Sequence, residues 1–191
     1  YFVNPTEVIN SVSPNLRGLV LKYHLQNTYD YLDWFDVFDI YILSVDPQER
    51  AQVLSAIANT RLMWIVDIEL VELLEDKSRI RAQDFFSLLN EIGRNPSGRH
   101  LAWYFVRHYW YDIIAKFGVS SRTLANSVKS ICSSFDSIFL YEEMINFFDT
   151  TYPGGGALQR LQARDIVLHN IFWINDREPD INQNLFIPFR K

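Results

Sequence analysis

Four histidines, one cysteine and two sets of closely spaced carboxylates are the side chains here that could do chemistry. His24, His100, His108 and His169 are candidate metal ligands or proton carriers. None falls in an H-E-x-x-H pattern, which would set two zinc ligands and a general base on one helical face. His100 and His108 stand eight residues apart, about 12 Å along a helix axis, too far to hold one ion. Asp30, Asp33, Asp36 and Asp39 recur at every third position. A calcium loop needs a glycine and tight local geometry, which this stretch lacks, so a solvated acidic face is expected. Glu69, Glu72 and Asp76 could do acid–base work only inside a pocket that perturbs them. Nothing near them in the sequence indicates one, and a solvated face is expected again. Cys132 sits at an apolar helical position and reads as a small buried hydrophobe, and a lone cysteine excludes an internal disulfide. Gly154-Gly155-Gly156 has neither the lysine nor the preceding strand of a phosphate loop, and no G-x-S-x-G elbow occurs. The expectation is a chain with no catalytic residue, no metal ligand and no cofactor of its own.

The elements that must carry these side chains read as helices. With 48% hydrophobic and 15% aromatic residues, the 191-residue chain has ample core material. Net charge is -5 and the basic residues form no stripe, so nucleic acid is not expected as a partner. No run approaches the ~20 apolar residues that span a bilayer, so no transmembrane segment is expected. The first residue, Tyr1, is not methionine, which suggests a piece of a longer polypeptide or a processed chain.

Helix starts are marked by residue chemistry. Pro14 suits a first turn; Asp46 can cap with Pro47 behind it and Glu49 where a capping box places its acid; Ser120-Ser121 opens a further helix, and Ser137 can cap another. Apolar residues at spacings of three and four place helices at roughly 14–24, 29–43, 46–59, 62–74, 82–93, 99–117, 120–134, 137–148 and 157–175. The central one follows Asn95-Pro96-Ser97-Gly98, and its stripe (Leu101, Phe105, Tyr109 and Ala102, Val106, Trp110) predicts one unbroken helix to Phe117. Tyr152 to Gly156 reads as the most flexible loop. The fold class is all-α: about nine helices in antiparallel hairpins, forming a curved HEAT- or armadillo-like solenoid. The expected organisation is an irregular lead-in over 1–14, a helical-repeat domain over 15–178 and an irregular tail over 179–191.

The central stretch, R-N-P-S-G-R-H-L-A-W-Y-F-V-R-H-Y-W from Arg94 to Trp110, resembles the R-N-P-x-G-x-x-L-A-W-x-F-x-R-x-x-W signature of aminopeptidase N-type zinc aminopeptidases. That gluzincin family includes glutamyl aminopeptidase and the endoplasmic-reticulum and insulin-regulated aminopeptidases. Other pieces occur in the family's order. Ser13-Pro14-Asn15-Leu16-Arg17 is similar to its x-P-N-L-R helix start, and Ala58-Asn59-Thr60-Arg61 followed by Trp64 to its A-C-T corner. Ile80-Arg81-Ala82-Gln83-Asp84 is similar to its I-R-x-Q-D link, and Ile171-Phe172-Trp173 to the end of its last helix.

The resemblance implies the C-terminal helical domain of a zinc metalloprotease, inactive alone, whose zinc and catalytic motifs lie earlier in the polypeptide. It implies that this domain encloses the substrate chamber, has the catalytic domain of the same polypeptide as partner, and touches the distal part of peptide substrates. Arg61, Arg94 and Arg99 are the candidates for meeting a peptide carboxylate, because guanidinium binds carboxylate bidentately. The family favours an extracellular or lumenal face of a membrane-anchored enzyme. A single cysteine and the lack of an N-x-S/T site leave a cytoplasmic compartment open. The alternative is a free-standing helical-repeat adaptor that binds protein partners through a concave face.

Overall fold

The structure is a computed structural model and describes residues 12–75 and 77–185. Among these residues there are ten α-helices, two short 3-10 turns and no strand. The chain divides into two compact units, Tyr1–Lys116 and Phe117–Lys191.

The first unit opens with α1 (Pro14–Asn27), α2 (Tyr31–Leu43) and α3 (Pro47–Ile57). Pro14 sits in the first turn of α1. Asp30 caps α2 by accepting from the Leu32 amide at 2.9 Å, which assigns the first of the spaced aspartates a structural task. Asp46 caps α3 in the same way from the Gln48 amide at 3.0 Å. Glu49 accepts from the Ser44 hydroxyl at 2.6 Å. Trp34, Phe38 and Tyr41, one turn apart on α2, form a buried aromatic column with successive ring centroids 5.0 and 5.9 Å apart. The Trp34 indole donates to the Ile57 carbonyl at 3.1 Å, satisfying both its own N–H and the end of α3.

α4 (Met63–Glu72) follows a sharp corner, and a 3-10 turn (Ala82–Asp84) leads into α5 (Phe85–Arg94). The Lys116 ammonium donates to the carbonyls of Leu73, Leu74 and Glu75 at 3.1–3.2 Å, closing the C-terminal end of α4 with a cation. The expected central helix is two: α6 (Arg99–His108) and α7 (Trp110–Phe117). Tyr109 departs from helical backbone with φ -101° and ψ 24°. Its amide still reaches Phe105 and its carbonyl still accepts from Ile113, both at 2.9 Å, so the apolar stripe keeps its phase across the break. Residue spacing alone therefore could not reveal it.

The second unit holds α8 (Arg122–Cys132), α9 (Ile138–Thr150), a 3-10 turn (Gly154–Gly156) and α10 (Ala157–Leu185). Ser121 and Ser137 cap α8 and α9 from the amides of Leu124 and Leu140. Ala163, Val167 and Ile171 of α10 are buried, and α10 packs against both α8 and α9. Arg160 ties the end of α9, donating to the carbonyls of Phe148 and Thr151 at 2.7 Å while lying over the Phe148 ring at 5.0 Å. The triple glycine is a 3-10 turn pressed against the start of α8. A Cβ on Gly154 would lie 2.2 Å from the Val119 carbonyl oxygen, and φ is +53°. α10 continues through Pro179 to Leu185, so the expected irregular tail from residue 179 is helical that far; 186–191 lie outside the described residues, as do 1–11 of the expected lead-in.

One device recurs in both units. The Asn95 carboxamide donates to the carbonyls of Ala58 and Thr60, 37 and 35 residues back, at 3.1 and 3.0 Å. Asn170 donates to the carbonyls of Ser133 and Phe135, again 37 and 35 residues back, at 3.0 and 2.9 Å. The separations are the same, and so is the kind of target, the end of an earlier helix.

Candidate functional site

The three candidate arginines are placed by the corner after α3 and the turn after α5. Pro96 holds Asn95 in extended backbone, φ -70° and ψ 119°, which ends α5 and frees the Asn95 side chain. Asn95 is 5% exposed and its side chain is fully engaged: its oxygen accepts from the Ser97 amide at 3.1 Å while its nitrogen makes the two bonds to Ala58 and Thr60. The residue after Arg94 is thus clamped to the residue before Arg61. Arg61 is exposed, with the Tyr29 hydroxyl 3.5 Å from its guanidinium. Arg94 is exposed and pairs with Glu91 at 2.6 Å. Arg99 is half-buried at the start of α6.

Between α3 and α5 runs a groove of about 310 Å³, lined by Arg50, Ser55, Ser87, Asn90, Glu91 and Arg94 among others. Of the three candidates, Arg94 lines it and Arg61 and Arg99 do not. Glu91 is held from two sides, by the Ser55 hydroxyl at 2.8 Å and by Arg94. Asp84, which also lines the groove, accepts from the Tyr41 hydroxyl at 2.8 Å. Burial and this neighbouring carboxylate push the Tyr41 phenol up to about 12, so it stays a donor. Arg50 is 7% exposed; its guanidinium donates to the Ser44 carbonyl, and its Nε has no partner. The sequence gives no sign of this role, because Arg50, between Glu49 and Ala51 near a helix start, has the pattern of a solvated position.

The acidic stripe of α4 departs from expectation. Glu69 is 4% exposed rather than solvated. Arg79, returning over the chain turn, sets Nη2 2.6 Å from Glu69 and grips Glu72 through two bonds of 2.9 and 2.8 Å. The guanidinium also lies 4.8 Å over the Phe38 ring. Burial raises the Glu69 carboxyl to about 7 against the pull of Arg79, whereas the hydrogen bond from Arg79 lowers that of Glu72. Asp76 is outside the described residues. The cluster is a structural clip, its two carboxylates joined by one guanidinium. Among the described residues no group of histidine, cysteine and carboxylate ligands could hold a metal ion. Cys132 is fully buried, and burial pushes its thiol far above the usual range, so it is no nucleophile.

Of the three candidate guanidinium groups, that of Arg94 stands beside the polar groove, next to the pinned Asn95. Residues 2–168 match the family model described as the ERAP1-like C-terminal domain. The chain belongs to that family. The relatives it resembles are aminopeptidases. Aminopeptidase A of Gloydius brevicauda is 28% identical over 173 residues, 90% of this chain and 18% of its own length. Human glutamyl aminopeptidase is 27% identical over 178 residues, 92% of this chain and 18% of its own length. Human endoplasmic reticulum aminopeptidase 1 is 29% identical over 147 residues, 74% of this chain and 15% of its own length. The chain thus spans less than a fifth of these relatives. As an ERAP1-like C-terminal domain it is a helical domain of an aminopeptidase family, and the Arg94 to Trp110 stretch lies wholly inside the matched region.

Proposed function

We propose that this domain serves a zinc-dependent aminopeptidase without being catalytic itself. It encloses the substrate chamber against the catalytic domain of the same polypeptide and contacts the distal part of the peptide. Arg61, Arg94 and Arg99 are the groups that meet the peptide's carboxylate. Zinc belongs to the catalytic domain, and among the described residues of this chain no group of ligands would hold it.

The observation that carries the reading is the Asn95 clamp within a family-matched region. It ties the residue after Arg94 to the residue before Arg61, so the two arginines leave neighbouring stretches of backbone that are held together. Rigid placement matters because a bidentate guanidinium–carboxylate pair is directional. A helical scaffold whose described residues include no group that could hold a metal ion suits substrate holding in a zinc-dependent enzyme. The test is an aminoacyl-chromogen assay on this chain with added zinc. Turnover should not exceed the blank, and zinc-dependent hydrolysis would contradict the proposal. The coding sequence upstream should also carry H-E-x-x-H and G-x-M-E-N; their absence would favour a free-standing adaptor.

A further inference from the structure

We propose that the groove between α3 and α5 is a carboxylate-binding site anchored by Arg50. Charge partners in this groove are unevenly shared. Both of its carboxylates have a protein group bound to them: Glu91 has Ser55 and Arg94, and Asp84 has Tyr41. Arg50 has no such counterpart. The residue is more than nine-tenths buried, and among the described residues no carboxylate lies within 4.0 Å of its guanidinium. Its described side-chain bond goes to a neutral carbonyl, that of Ser44, and Nε is left without a partner. A buried cation that lacks a counterion is costly to the fold, and the natural complement is an anion from outside.

The wall opposite supplies the rest. The Asn90 side chain, on α5, has a buried oxygen with no partner. A half-turn of its carboxamide exchanges that oxygen for the NH2 group and presents a second donor to the groove. Ser55 and Ser87 add hydroxyls, and Arg94 a second guanidinium at the rim. The remaining charges select the class of anion. Glu91 and Asp84 line the same groove, so phosphate, which concentrates its charge on one group, is repelled more strongly than a single carboxylate group, including either end of succinate, whose two charges sit on separate groups. A space of about 310 Å³ admits a small organic acid or one acidic group of a peptide. The site shares Arg94 with the peptide reading and stands without it, because a free carboxylate satisfies the same groups.

The experiment is calorimetric titration of the chain at constant ionic strength with succinate, with inorganic phosphate, and with one peptide bearing a free or an amidated C-terminus. Succinate should bind saturably at one site and phosphate at least tenfold more weakly. Arg50→Lys keeps the buried charge but loses the fork, and should weaken succinate at least tenfold. Asn90→Asp, a near-isosteric change that adds a repelling charge, should do the same, with helical circular dichroism unchanged. Lys129→Gln, in the second unit, should leave binding as it was. Failure of succinate to saturate, phosphate binding as well as succinate, or succinate binding indifferent to both groove variants would each overturn the proposal. Free-acid peptide that binds in an Arg50-dependent way would support it and name the peptide as the carboxylate's source. Peptide binding that ignores Arg50→Lys, with no succinate bound, would sink this site and leave the peptide reading standing.

Discussion

Replacing Glu69 by glutamine isolates a buried charge whose energetic sign can be worked out. In the folded chain burial lifts this carboxyl to about 7, against an ordinary value of 4.5. A folded-state value above the unfolded one means that folding takes up a proton between these two pH values. The stability contribution is fully present below about pH 4.5 and is lost as pH rises toward 7. At 1.36 kcal/mol per unit, the difference corresponds to about 3 kcal/mol. The side chain is only 6% exposed, so solvent screens little of it. Glutamine cannot ionise, and Glu72 still grips Arg79 through two bonds in its absence. Denaturant unfolding of wild type and Glu69→Gln at intervals from pH 4.5 to 8 reads the linkage directly. Relative to wild type, the glutamine variant should gain about 3 kcal/mol across that range, most of it by pH 7, whatever its offset at the acid end. Glu72, whose carboxyl is lowered, acts oppositely, with stability lost as pH falls, but it is common to both proteins and cancels. A difference that stays flat with pH, or one that moves against glutamine as pH rises, would rule out this linkage.

Asn95→Ala should cost about 2–4 kcal/mol, since it strips two carbonyl acceptors and one amide of a buried partner. Asn170→Ala should cost a similar amount; thermal unfolding of both checks the shared device, and a loss under about 0.5 kcal/mol at either would deny it. Gly154→Ala should destabilise by at least about 2 kcal/mol, because the added methyl meets the Val119 carbonyl in a backbone conformation with positive φ; neutral behaviour in the same assay would show that the turn is not pressed against α8. Cys132 should react with a thiol reagent only after denaturant is added, and fast native-state labelling would contradict its burial.

Much of the fold is legible in the sequence because its signals are local. Pro14, Asp46-Pro47, Ser121 and Ser137 satisfy helix ends within four residues of themselves, so their meaning is confined to a short window of chain. What the sequence hides depends on distant partners. Asn95 looks like punctuation in R-N-P, and only its bonds to residues 37 and 35 back make it a clamp. Glu69 has the spacing of a solvated face until Arg79 returns across the chain turn and covers it. The Tyr109 break is concealed because the hydrogen bonds on both sides keep the stripe in phase. Of the site, Arg94 is legible through its motif. Arg50 is not, since burial of a charged residue at a helix start leaves no trace in composition or spacing.

The proposed contact between this domain and the distal carboxylate of a peptide depends on the corner that holds Arg61 and Arg94. The decisive measurement is a titration of the chain with one peptide in two forms, free acid and C-terminal amide. The free acid should bind at least tenfold more tightly, the advantage shrinking in Arg94→Gln. Equal binding of the two forms, or none of either, would contradict that contact.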